Sequence, residues 1–113
     1  MEQHPNTGYL CFMIAAKFLR MQVPQEFAGR FTEDENTDYE LMRAAKELGL
    51  KASAGKLNLK KVEDAAVPVI AKLKNGEYLL IVNRRDEHKW TILNPLKGAP
   101  ETMEESALLE ILS

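Results

Sequence analysis

Asn75-Gly76 stands between two apolar runs, Val67 to Leu73 and Glu77 to Val82. An Asn-Gly pair takes the positive backbone angles of a tight hairpin at little steric cost, so it predicts two antiparallel strands joined by a two-residue turn. Further polar turns follow at Arg84 to Glu87 and at Asn94-Pro95-Leu96-Lys97-Gly98, with Lys89 to Leu93 as a strand between them. The second half of the chain is therefore expected to be an antiparallel meander.

The first half has helical periodicity. Tyr9 to Leu19 is apolar on almost every side apart from Lys17, which predicts a helix buried over most of its circumference. Val23-Pro24-Gln25-Glu26-Phe27 opens a short second helix, with Pro24 in its first turn and Phe27 and Phe31 on one face. Thr37 and Glu40 form a capping box, Leu41, Ala44, Ala45 and Leu48 keep helical spacing, and Gly49 supplies a left-handed stop. Leu50 to Ala54 then reads as a short strand, and Leu59 to Asp64 fits a helical turn or a loop. Thr102 and Glu105 form a second capping box ahead of Leu108, Leu109, Ile111 and Leu112, predicting a closing helix. Helices first and an antiparallel sheet afterwards is the order of an α+β domain.

A chain of 113 residues supports one core, so residues 1–113 are read as a single domain. The net charge of −2 comes with scattered Lys and Arg, the nearest approaches to clusters being Lys56 to Lys61 and Arg84-Arg85. Without a basic stripe, no nucleic-acid partner is expected. No basic segment precedes an apolar run at the N-terminus, and the longest apolar stretch, Tyr9 to Ala16, is far short of the roughly 20 residues that cross a bilayer. The domain itself is not expected to insert into a membrane.

Cys11 is the only cysteine, which excludes an internal disulfide and a cysteine-rich zinc site and suits a reducing cytoplasm. His4, Cys11 and His88 have no ligand spacing, so no metal is expected. The acidic run Glu33-Asp34-Glu35 lacks the spaced oxygens and central glycine of a calcium loop. The dispersed glycines make no phosphate cradle, and no cofactor is expected. Cys11 lies one turn into an apolar helix, where a thiol without a cationic neighbour stays protonated and packs as a small hydrophobe. His4 and His88 read as surface residues. Trp90 alternates with Ile92 and is either a core or a groove residue, while Tyr78 begins a strand beside a tight turn and is a rim or sheet-face residue.

Taken together, these segments resemble the N-terminal papain-like peptidase domain of bacterial ABC exporters, which removes double-glycine leaders. That family opens with Cys-Gly-x-x-Cys and an apolar helix, and Thr7-Gly8-Tyr9-Leu10-Cys11-Phe12-Met13-Ile14-Ala15 matches its second cysteine but not its first. Leu41 to Ala52, containing Ala44-Ala45 and Leu48-Gly49-Leu50, is similar to the family's second signature helix. Val67-Pro68-Val69-Ile70-Ala71 is similar to its Leu-Pro-Ala-Ile strand. The next strand in the family begins with the catalytic histidine, where this chain has Glu77 or, one residue on, Tyr78. The family's Asp-Pro-x-x-Gly turn appears as Asn94-Pro95-Leu96-Lys97-Gly98. Gln3 stands too close to Thr7 to match the family's oxyanion-stabilising glutamine.

The resemblance implies a papain-like fold with N-terminal helices packed on an antiparallel sheet, and a degenerate triad at Thr7, Glu77 and Asn94. Threonine lacks the thiolate that a helix N-terminus and an imidazolium populate on cysteine, and a Glu77 carboxylate cannot act as an imidazole relay. Members without the cysteine are similar to the peptidase-like domains of type I secretion exporters for RTX toxins and adhesins. The implied domain is non-catalytic, sits at the cytoplasmic face of a bacterial inner membrane, and recruits unfolded secreted substrate. Its other partner would be the remainder of the exporter, whose membrane-spanning segments and ATP-binding domain would continue the chain. Tyr9, Tyr78 and Trp90 are its candidate substrate anchors. Two alternatives are an active cysteine peptidase using Cys11 with His88 and a free-standing adaptor for extended peptides.

Overall fold

A computed structural model describes residues 6–31, 37–50, 58–63 and 68–113. Helix α1 covers Thr7–Phe18, a 3-10 helix Gln25–Phe31, α2 Thr37–Glu47 and α3 Leu59–Glu63. Strands β1 (Val69–Lys72), β2 (Tyr78–Arg84), β3 (Lys89–Leu93) and β4 (Pro100–Glu104) follow, and α4 (Glu105–Ile111) closes the chain. The architecture is α+β, with a four-stranded antiparallel sheet in the order β1-β2-β3-β4.

Helix α1 begins two residues before its apolar run because Asn6 caps it, its Oδ1 accepting from the Tyr9 N–H at 3.0 Å. From Thr7 to Ala16 no residue is exposed, whereas Lys17 to Arg20 all are. Both long helices stop with the same paired hydrogen bonds. At α1 the Met21 N–H reaches the Ala16 carbonyl at 2.9 Å and Arg20 N–H the Lys17 carbonyl at 3.1 Å. At α2 the Leu50 N–H reaches Ala45 at 2.9 Å and Gly49 N–H reaches Lys46 at 3.0 Å. The left-handed residue that this motif needs is Gly49 (φ 81°) in one and Arg20 (φ 56°) in the other.

The Asn75-Gly76 signal is correct for the hairpin and one residue short for its loop. Leu73 N–H donates to the Glu77 carbonyl at 2.8 Å and Gly76 N–H to the Leu73 carbonyl at 3.0 Å. Lys74-Asn75-Gly76 therefore forms a three-residue loop, a turn followed by Gly76 in the left-handed region at φ 89°. The expected strand Lys89 to Leu93 is found with those bounds, and β2 runs on to Arg84. The ambiguous Leu59 segment is a short helix. The expected strand Leu50 to Ala54 lies, beyond Leu50, outside the described residues, as do His4, Gln3 and the acidic run from Glu33 to Glu35.

The second capping box is corrected. Thr102 pairs with Thr91 inside β4, and α4 starts at Glu105 with no side-chain cap. Thr-x-x-Glu matched a cap in spacing, but the Glu101, Thr102, Met103, Glu104 backbone completes the β3 ladder, and Pro100 is tolerated as the first residue of an edge strand. Glu105 Oε1 instead accepts from Trp90 Nε1 at 3.0 Å and from Arg84 at 3.2 Å.

Tyr78, Leu79, Leu80 and Ile81 are buried in succession because β2 is covered on both faces. Leu79 and Ile81 join Val62, Ala71, Trp90, Ile92, Leu108 and Leu112 on the side of α3 and α4. Tyr78 and Leu80 pack with Cys11 of α1 on the other. Fully burying side chains such as Leu80 and Ile81 contributes about 1.5–3 kcal/mol each. Behind α1, Phe12, Phe27, Phe31, Ala44 and Ala45 form the core of the helical layer.

Candidate functional site

The N-terminus of α1 meets the start of β2. Thr7, 7 % exposed, projects from the first position of the helix, and its Oγ1 accepts from the Tyr78 N–H at 2.8 Å. Close approach is possible because the next residue has no side chain. A β-carbon on Gly8 would lie 2.5 Å from Thr37 Cγ2 and 3.2 Å from Tyr78 Cδ1. Asn6, besides capping α1, donates through Nδ2 to the Phe31 carbonyl and to Thr37 Oγ1, both at 3.1 Å. The N-terminal ends of α1 and α2 thus converge on one place.

Asp38, in the first turn of α2, puts a carboxylate there, complementing the positive helix end. It accepts from the Tyr78 hydroxyl. Lys72 Nζ lies 3.3 Å from Asp38 Oδ2 and 6.0 Å from the centre of the Tyr78 ring.

Of the two candidates for the start of β2, only Tyr78 faces Thr7. Glu77 is exposed, and its N–H is taken by Asn75 Oδ1 at 2.9 Å. Asn94 follows β3 at the same end of the sheet, since Leu93 pairs with Leu80. Its side chain serves its own turn, with Oδ1 accepting from the Leu96 N–H at 2.9 Å while its carbonyl accepts from Lys97 and Gly98.

The three expected anchors do not form an exposed aromatic surface. Trp90 is 0 % exposed, with Arg84 lying 5.0 Å over its ring, so the core reading is the one the structure bears out for it. Tyr78 is 6 % exposed and faces α1. Tyr9 is half-buried, its ring 5.0 Å from that of Phe31.

Cys11 is fully buried, and burial pushes its thiol up to about 12. His88 lies in the β2–β3 turn, its N–H held by Asp86 Oδ1 at 2.8 Å. That is the opposite end of β2 from Tyr78, about 20 Å away at ~3.3 Å per residue. No imidazole stands beside Thr7 or Cys11 among the described residues. To act as a nucleophile, a hydroxyl needs a neighbouring base, and the group bonded to Thr7 Oγ1 is an amide donor. Among the described residues no cluster of His, Cys, Asp and Glu could hold a metal, and no helix is long and apolar enough to cross a membrane.

Asn6, Asp38 and Lys72 were missed by sequence reasoning. Asn6 carried a readable signal, since it is a preferred capping residue directly ahead of an apolar helix. Asp38 and Tyr78 are 40 residues apart and left no local trace. The model of the Peptidase C39 family matches residues 2–112. No curated protein matches the chain.

Proposed function

This chain belongs to the Peptidase C39 family, and from that premise we propose that it binds an extended chain without cutting it. It would be the non-catalytic domain of a type I secretion ABC exporter, recruiting unfolded protein for translocation at the cytoplasmic face of a bacterial inner membrane. The observation that carries the non-catalytic half is the Thr7–Tyr78 junction. Where the family resemblance places a cysteine and a histidine, Thr7 accepts a backbone hydrogen bond and Tyr78 donates its phenol proton to Asp38. The residue at the histidine's place is then Tyr78, with Glu77 pointing away.

Asn94, at the aspartate's place, is engaged within its own turn. Groups of one catalytic unit act together, so replacing all three removes the reason to keep any. The alternative nucleophile Cys11 is protonated at neutral pH and packs against Tyr78 and Leu80, whereas His88 lies beyond the opposite end of β2. The recruiting half draws on the resemblance: a cleft shaped for a leader peptide needs no new fold to hold a chain.

Two assays on the purified domain test the two halves. Incubation with double-glycine leader peptides is expected to give no cleavage, and turnover that survives Cys11→Ala would overturn the non-catalytic reading. Turnover abolished by both Cys11→Ala and His88→Ala would favour the shifted cysteine peptidase. Titration with unfolded, calcium-free RTX cargo is expected to show saturable binding, and its absence removes the recruiting reading.

A further inference from the structure

Tyr78 is held from several directions at the junction between the helical layer and the sheet. Its ring lies against Gly8 of α1, its N–H is bonded to Thr7 Oγ1 at 2.8 Å, and its hydroxyl is bonded to Asp38 of α2. Lys72 of β1 approaches the second carboxylate oxygen of the same Asp38 at 3.3 Å. These contacts join α1, α2, β1 and β2 around one side chain, that of Tyr78, whose backbone N–H also holds the buried Thr7 hydroxyl. The outer members are not buried: the Asp38 and Lys72 side chains are 58 % and 46 % exposed. Exposed ion pairs are weak and solvent-screened, so the rim can part while the layers stay packed.

We propose that Tyr78, Asp38 and Lys72 form a clasp that closes the junction over Thr7, and that another chain reaches the N-terminus of α1 only when the clasp is released. Tyr78 supplies the closing surface, because its ring occupies the space above Gly8. Asp38 fixes the ring by holding its hydroxyl, and Lys72 steadies Asp38 from the sheet side. The clasp does not depend on cargo recruitment, since it closes the junction equally in an active or an inactive domain.

The test places a thiol under the clasp. Thr7→Cys in a Cys11→Ala chain leaves position 7 as the only thiol, and its alkylation by iodoacetamide is followed by intact mass. With the clasp intact, labelling is expected to be at least about tenfold slower than in the urea-unfolded chain, as for a site that reacts only through local opening. Asp38→Ala and Tyr78→Phe are each expected to speed it by roughly tenfold or more, the effect of losing one hydrogen bond to a charged acceptor. In chains that keep Thr7 and Cys11, the same substitutions are expected to speed the labelling of Cys11 less than that of position 7, because Cys11, although it packs against Tyr78, is also buried against Leu80.

Labelling of position 7 at the unfolded rate with the clasp intact would overturn the proposal. So would a position-7 rate that neither substitution alters, or one that rises no more than the Cys11 rate. Hydrogen exchange at the Tyr78 amide, measured with Thr7 in place, decides the matter without the new thiol. Asp38→Ala and Tyr78→Phe are expected to accelerate exchange there and not at Leu80, and equal acceleration at both sites refutes the clasp.

Discussion

Position 11 holds a thiol that the fold keeps neutral. Its pKa is about 12 in the folded chain against an ordinary 9.0, so above pH 9 the unfolded chain sheds a proton that the folded chain retains. Stability from this group is full below that lower value and declines as pH rises from 9.0 to about 12. Urea midpoints at pH 7 and pH 10 for the parent and for Cys11→Ala measure the effect. The parent is expected to lose more than the variant, by about 1.4 kcal/mol per pH unit within that window. Equal losses would mean that the thiol is open to solvent. Burial of Cys11 was legible from its place one turn into an apolar helix. Which residue at the start of β2 faces α1 was not: Glu77 and Tyr78 differ by one residue of register, and it is the Thr7 hydrogen bond and the contact with Gly8 that put Tyr78 there.

Helix endings give a controlled comparison, because α1 and α2 stop with the same two hydrogen bonds and differ in the residue at the left-handed position. An L-residue there costs about 1–2 kcal/mol, and glycine gives back part of that gain as unfolded-chain entropy. Arg20→Gly is therefore expected to stabilise the domain by about 0.5–1 kcal/mol. Gly49→Ala is expected to destabilise it by about 1 kcal/mol, although no atom lies within 4 Å of the added carbon. Thermal melts of the two variants read both effects, and shifts of the same sign would refute the shared motif. The Gly49 stop was legible because glycine advertises it, whereas nothing in Phe18-Leu19-Arg20-Met21 marks Arg20 as left-handed. Strand β4 was hidden for a related reason: Thr102 and Glu105 imitate a cap, and only the neighbouring β3 shows that Thr102 belongs to a ladder.

Across the whole molecule, the helical layer and the sheet meet closely where Gly8 lets them. Gly8→Ala would drive a carbon to 2.5 Å from the methyl of Thr37, a buried, branched side chain that has little room to turn. A loss of about 1–3 kcal/mol is expected in urea unfolding. Gly29→Ala, whose added carbon meets nothing within 4 Å, is the control and is expected to stay within about 0.5 kcal/mol of the parent. Comparable losses in both variants would remove the close approach as the cause. The α+β order was readable from helical spacing followed by hairpins, but the meeting of Asn6, Thr7, Gly8, Thr37, Asp38 and Tyr78 depends on chain return over long separations.

The hydrogen bond between Tyr78 and Thr7 spans 71 residues. On a ribosome adding ~5–20 residues each second, α1 emerges several seconds before the strand that covers it. During that interval Cys11 has no Tyr78 or Leu80 to bury it, so a newly made chain presents the uncovered sheet-facing side of an apolar helix to whatever chaperone waits at the exit tunnel.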